Sequence, residues 1–197
     1  MTMDVTKITE GLWQWTTPTS GAGDVPVHRS TYVEAEDATV LIDPRFPDDA
    51  AERDRFWRAF DGDVARRGLP VLVLLTGGPD VAALAEIQDR HAAQASGPVG
   101  DRARGVAPAP DGTAPATGIV CRTLTAPTGD RRAMFLLPGH GAVVIGDFPD
   151  TPERRRTLVE HVVQSTVLAA QRTGGEPPPI RWLLSSVAEP DDLNVRD

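Results

Sequence analysis

With 197 residues, 40% of them hydrophobic and 24% charged, the chain is long enough for one domain with a real core and too short for two comfortable ones. Its 28 acidic against 20 basic residues give a formal charge of −8, which opposes non-specific attraction to nucleic acid and to anionic lipid, so neither is expected as a partner. Cys121 is the single cysteine, which excludes an intramolecular disulfide and a cysteine-rich zinc site, and the start "MTMDVTKITEG" lacks the basic, then apolar, pattern of a targeting segment.

No uninterrupted apolar stretch approaches membrane-spanning length, and a cytoplasmic protein is expected. Cys121 itself, inside the strand-like run Ile119 to Leu124, reads as a small buried apolar residue.

In chain order, "GLWQWTTP" (11–18) alternates well enough for a strand, and the Ser/Gly-rich stretch 19–24 reads as a loop. "STYVEAEDATVLIDP" (30–44) predicts a hairpin turning near Glu36-Asp37. Antiparallel partners keep a constant index sum, so Ser30 should face Asp43 and His28 should lie near the Asp43 end. Asp48 and Asp49 can cap a helix carrying Phe56, Trp57 and Phe60, with Gly62 and Gly68 as later break points.

The stretch "VLVLLTGGPDVAALAEI" (71–87) runs from a buried strand (71–75) through a Gly-Gly-Pro-Asp turn into a helix expected over 80–95. Val81, Leu84, Ala85 and Gln88 recur there at helical spacing. Residues 96–118 are rich in Pro, Gly and Ala with almost no large apolar side chains, and predict a flexible insert within a single 1–197 domain. A strand at 119–125 leads to a second hairpin, "AMFLLPGHGAVVIGD" (133–147), turning at 138–141 with an index sum near 279, which sets Arg131 or Arg132 opposite Asp147. Thr151-Pro152-Glu153 opens a helix that Gly174-Gly175 ends, and "IRWLLSSV" (180–187) is a last strand. The whole order suits a layered α/β protein with hairpins.

The chemistry-bearing residues are sparse. The turn after strand 71–75 offers Thr76, Gly77, Gly78 and Asp80, with one carboxylate and no nucleophile or imidazole. His91 lies eleven residues beyond Asp80, about 16 Å along a helix axis. His161 falls within a predicted helix, and His140 occupies the hairpin turn away from Asp147, so these read as packing or surface residues. His28 is the exception, because the hairpin register carries it towards Asp43.

Taken in order, these segments resemble the metallo-β-lactamase superfamily, whose fold is an αβ/βα sandwich of two mixed sheets with outer helices. The resemblance covers residues 8–147 and, more loosely, the tail. In that family a strand ending in Ile-Asp precedes the first helix, as "VLIDP" does with Asp43. The next strand normally ends in Thr-His-x-His-x-Asp-His, whereas "LLTGGPDVAAL" keeps Thr76, Pro79 and Asp80 and has the histidines replaced or deleted. A later hairpin ends in Gly-Asp, matched by Gly146 and Asp147. The final strand normally delivers a histidine, where "WLLSSVAEP" has Ser185, Ser186 and Val187.

The resemblance therefore implies the fold without the imidazole ligands that hold zinc, and no metal or cofactor is expected. Asp80 and Asp147 could hold a hard cation only weakly through oxygen. One reading is a non-hydrolytic protein that uses the residual cleft, with Thr76, Gly77, Gly78, Arg131 and Arg132, to bind a small molecule or a protein. The alternative is a hydrolase of an ester, lactone or phosphoester using Asp43, Asp80, Asp147 and His28 as acid–base groups. Each aspartate has a structural counterpart role, at strand ends for Asp43 and Asp147 and as a helix cap for Asp80. A phosphate cradle at Gly77-Gly78 is disfavoured, since Pro79 removes an amide donor and Asp80 adds negative charge. The basic run "PERRRT" reads as a solvated helix face.

Overall fold

The computed structural model describes residues 3–18, 27–77, 80–101, 104–125, 129, 131–146, 158, 164, 179–185 and 191–192. The elements in chain order are β1 (Asp4–Thr9), β2 (Leu12–Pro18), β3 (Val27–Glu34), β4 (Thr39–Ile42), α1 (Ala50–Arg67), β5 (Val71–Leu74), α2 (Val81–His91), β6 (Gln94–Gly97), β7 (Val106–Pro108), β8 (Val120–Thr125), β9 (Arg131–Leu137), β10 (Ala142–Gly146), β11 (Trp182–Ser185) and the two-residue β12 (Asp191–Asp192). They form a seven-stranded sheet in the order β1 to β7 and a five-stranded sheet in the order β12-β11-β10-β9-β8. Both are mixed: β1 to β4 pair antiparallel and β4 to β7 parallel, while β10 runs parallel to β11 and antiparallel to β9.

Strand side chains alternate between faces, and here the alternation builds three apolar layers. Val40 and Ile42 join Leu12, Val33, Phe135, Leu137, Val144 and Leu184 in a core between the two sheets. Leu41, between them in sequence, points the other way, into a core shared with Trp15, Tyr32, Val73, Phe56, Trp57, Phe60 and Ile87 that lies under α1 and α2. Along β9, Phe135 faces the inter-sheet core while Met134 and Leu136 face an outer layer with Val143, Ile145 and the helical residue Leu158. The result is the expected sandwich with helices outside two mixed sheets. Each large side chain buried this way contributes about 1.5–3 kcal/mol.

The helix ends follow from their capping residues. Asp49 caps α1 by accepting from the Glu52 amide at 3.0 Å, and Gly68 ends it with φ 63°, while Gly62 sits inside the helix without breaking it. Asp80 caps α2 through the amides of Ala82 and Ala83. The two helices are joined where Glu86 accepts from the Trp57 indole at 2.6 Å and from the Arg53 guanidinium. Among the described residues no helix is long and apolar enough to cross a membrane.

Several sequence expectations need correction. The helix expected over 80–95 ends at His91, because Ala92 turns left-handed at φ 51° and Gln94 begins a strand. Its buried face is Ala83, Leu84 and Ile87, whereas Ala85 is exposed; the apolar stripe runs about one position away from the one read in sequence. Residues 96–118 are not simply a loop. They contribute β7, which pairs parallel to β6, and they bury Val106, Ala109 and Ala116, small residues that fill the sheet edge without an apolar run to announce them. β1 was also missed, since most of its side chains are exposed and the strand carries no apolar signature. The helix expected between Thr151 and Gly174 lies largely outside the described residues.

Ala92 is an alanine where the backbone demands the left-handed region, which costs a residue bearing a Cβ about 1–2 kcal/mol. Ala92→Gly is expected to raise stability by about 0.5–1 kcal/mol in urea denaturation, the gain in strain relief being offset partly by added chain entropy in the unfolded state. An unchanged or lower midpoint would show that this helix end is not strained.

Candidate functional site

The C-terminal ends of β4 and β5 lie side by side, since Ile42 pairs with Leu74, so whatever follows each strand meets at one rim of the seven-stranded sheet. Asp43 follows β4 with φ 47°, a left-handed conformation that aspartate tolerates better than most residues. Its amide donates to the Leu74 carbonyl at 3.0 Å, and its carboxylate turns towards Thr76. Oδ1 accepts from the Thr76 amide at 2.8 Å and Oδ2 from the Thr76 hydroxyl at 2.5 Å. Thr76 is 3% exposed, so this charge-assisted pair is shielded from water on the threonine side.

The same threonine ties the two sheets together. Its carbonyl accepts from the Ala133 amide of β9 at 2.7 Å. Gly146, at the end of β10, lies directly over it: a Cβ there would collide with Thr76 Oγ1 and stand 3.2 Å from Asp43 Oδ2. Ser185 of β11 donates to the Gly146 carbonyl at 3.0 Å. Asp43, Thr76, Gly146 and Ser185, four of the positions at which the sequence meets or departs from the superfamily's motifs, therefore converge on one end of the sandwich.

His28 is brought to the same place, as the hairpin register predicts. The β3–β4 pairing keeps the expected sum, with Thr31 facing Ile42, and His28 Nε2 lies 2.8 Å from the Asp43 carbonyl. A carbonyl can only accept, so Nε2 carries the proton. Ser30 Oγ accepts from the Arg45 amide at 2.9 Å, and the Arg45 carbonyl accepts from the Trp15 indole at 2.8 Å. This holds the segment after Asp43 flat against the sheet. Arg45 was not read as a site residue, and its position behind Asp43-Pro44 in sequence carries no periodic signal; the pairing of Ser30 with Asp43 was the one clue to it.

Two guanidinium groups approach the turn after β5. Arg45 Nε is 3.5 Å from Asp80 Oδ2, and the Arg132 side chain lies over Gly77, where an added Cβ would collide with its Nη1. The second hairpin has the expected index sum of 279, with Ala142 facing Leu137 and Val144 facing Phe135. Arg132 is half-buried, whereas its neighbour Arg131 is exposed. Gly78 and Asp147, also read as site residues, lie outside the described residues.

The other histidines have separate employment. His140 packs on the β1–β2 turn, with Nδ1 3.3 Å from Thr9 Oγ1, and burial holds its ring below the usual imidazole range. His91 Nε2 stands 3.0 Å from Asp61 Oδ1 beneath the rings of Trp57 and Phe60. His161 lies outside the described residues.

A zinc ion, which the resemblance brings into question, needs imidazole or thiolate donors converging on one point. The described residues do not fit one. They include no group of three or more histidine, cysteine, aspartate or glutamate side chains placed to hold a metal. At the rim itself the Asp43 oxygens accept from Thr76, Asp80 caps a helix and meets Arg45, and Arg132 lies over Gly77.

The crowding around Gly146 and Gly77 differs in kind. A methyl at Gly146 meets the buried Thr76 side chain with φ at 67°, and nothing there can yield; a methyl at Gly77 meets only the end of an arginine. Gly146→Ala is expected to cost about 2 kcal/mol or more in chemical denaturation and Gly77→Ala less than about 1 kcal/mol. Equal costs would contradict the close contact of β10 with Thr76.

Solved structures with the same arrangement extend over nearly the whole chain. A metallo-β-lactamase from Pontibacter korlensis superposes with a TM-score of 0.62 at 18% identity, covering 96% of this chain and 93% of that one. The metallo-β-lactamase FIM-1 from Pseudomonas aeruginosa, solved in a mono-zinc form, gives 0.61 at 17% identity over 98% and 90%. A metallo-β-lactamase from Erythrobacter litoralis gives 0.60 at 16% over 96% and 87%. No protein-family model and no curated protein sequence matches the chain. At these identities the likeness establishes architecture alone: the chain has the metallo-β-lactamase fold.

Proposed function

We propose that this protein is a metal-independent, non-hydrolytic user of the metallo-β-lactamase fold, in which the rim at the ends of β4 and β5 binds a small molecule or a protein. The observation that carries the reading is the pairing of Asp43 with Thr76, with Arg45 at Asp80 and Arg132 at Gly77 in the turn that follows. A carboxylate whose oxygens accept from a buried threonine contributes to shape, and guanidinium groups repel the divalent cation that hydrolysis on this fold would need. Arg45 stands beside Asp80 and Arg132 lies over Gly77, so a ligand at this rim meets guanidinium groups as well as carboxylates. The acidic balance of the chain argues against nucleic acid and anionic membranes as that ligand, and the reading places the protein in the cytoplasm.

The hydrolase alternative requires an acid and a base that can reach substrate. Asp43 faces Thr76, Asp80 faces the α2 amides, and His28 donates to the Asp43 carbonyl, so this set favours scaffolding over proton transfer.

Elemental analysis of protein purified without chelator, combined with hydrolysis of a chromogenic β-lactam with and without added zinc, tests the proposal. The expected result is well below one zinc or iron per chain and no zinc-dependent turnover. Stoichiometric metal, lost together with an activity on chelation, would overturn it.

A further inference from the structure

The edge of a β-sheet presents a row of amides and carbonyls that a protein either closes or leaves open to another strand. Among the described residues, three of the four sheet edges are closed or very short. β7 has three residues and ends in Pro108, and Asp101 takes both backbone groups of Val106. On β8 the Cys121 carbonyl accepts from the Gly112 amide at 2.9 Å, the Cys121 amide donates to the Thr113 carbonyl at 2.8 Å, and the Thr123 amide donates to Asp111 Oδ1 at 2.9 Å. β12 is two residues long. β1 differs: its side chains are exposed from Asp4 to Lys7, and its outer backbone row from Val5 to Ile8 has no partner among the described residues. Val5, 49% exposed, is one of two large hydrophobic side chains left in water among those residues.

The side chains of this edge match a second copy of themselves. Antiparallel residues that face each other project to the same side of the sheet, so a two-fold pairing of β1 with β1 places one residue on the axis. An axis at Asp4 or at Lys7 sets like charges against each other. An axis at Thr6 sets Lys7 against Val5. An axis at Val5 sets Val5 against Val5, Thr6 against Asp4 and Lys7 against Met3. In that register each valine covers the other, and the Thr6 hydroxyl faces the Asp4 carboxylate as a donor. The Lys7 ammonium arrives beside Met3, whose amide donates to the Glu52 carboxylate at 3.3 Å. The two charges of the strand therefore select a register and leave pairing itself open. The bulge between Lys7 and Thr9 ends the regular strand, so the match runs from Met3 to Lys7.

We infer that the β1 edge is a self-association surface, on which a second copy of this chain adds its own β1 antiparallel with Val5 on the two-fold axis. Because the other edges among the described residues are closed or very short, the pairing stops at two copies and does not propagate. A match from Met3 to Lys7 is short, and an interface below about 1,000 Å² holds a weak, reversible dimer. The inference does not depend on the function proposed for the rim.

Sedimentation velocity of the full chain over a concentration series reaching about 1 mM tests it, and a reversible dimer with a dissociation constant between about 10 μM and 1 mM is expected. Val5→Lys, which changes a half-exposed side chain and sets two ammonium groups on the axis, should weaken the dimer at least about tenfold with the unfolding midpoint in place. The register is read by cross-linking under mild oxidation, from which the buried Cys121 is shielded. Val5→Cys should link two copies, since facing Cβ atoms lie about 4.5–5.5 Å apart. Lys7→Cys should not, because the two positions are separated by about 13 Å along the strands. A wild-type chain that sediments as a monomer up to about 1 mM would overturn the inference and leave the edge to an extended segment of another protein. A Val5→Lys dimer as tight as the wild type, or Lys7→Cys linking as readily as Val5→Cys, would also overturn it.

Discussion

Two hydrogen bonds from Thr76 to the Asp43 carboxylate hold the rim at the ends of β4 and β5 in its shape. They join residues that follow two parallel strands and are 33 apart in sequence, and they do so in a setting where water cannot compete on the threonine side. Hydrogen bonds to an ionised acceptor contribute about 1.5–3 kcal/mol, enough to offset the left-handed backbone that Asp43 adopts to make them. From Thr76 the linkage passes to Ala133 of β9 through the backbone, and Gly146 and Ser185 of the second sheet close over it. The two sheets are thus fastened to each other at the rim as well as through their shared apolar core.

That fastening occupies polar groups of the rim. In a hydrolytic site the carboxylates and imidazoles must face inward to a water or a cation. Here Asp43 faces its neighbouring strand, His28 donates to a backbone carbonyl, Asp80 caps α2, and Arg45 and Arg132 bring positive charge to the turn between them. The fold is shared with metallo-β-lactamases, and the described rim sets guanidinium groups beside its carboxylates. The aromatic cluster of Trp15, Tyr32, Phe56 and Phe60 stands apart from this arrangement, on the helix-covered face, and the Trp15 indole links the two by donating to the Arg45 carbonyl.

Much of this was legible in the sequence where a single physical rule dominates. Constant index sums gave both hairpin registers, and with them the placement of His28 near Asp43. Cap chemistry gave the starts of α1 and α2. What escaped was written in weaker signals. β1 is mostly exposed and β7 is built from Val, Ala and Pro, so neither shows the alternation of a half-buried strand, and α2 is stopped by an alanine rather than a glycine. The contact of Arg132 with Gly77 depends on how two sheets pack, and the gathering of distant aromatic rings depends on the pairing of β2 with β3 and the seating of α1; local patterns carry neither.

The most direct test of the account is a double-mutant cycle on the rim, comparing the unfolding free energies of the wild-type chain, Asp43→Ala, Thr76→Val and the double variant. If the Asp43–Thr76 pair is the fastening described, the two substitutions are non-additive, with a coupling energy of about 1–3 kcal/mol, because each alone leaves the other's polar group without its partner. Additivity within about 0.5 kcal/mol would mean that the two residues act independently, and would contradict the account.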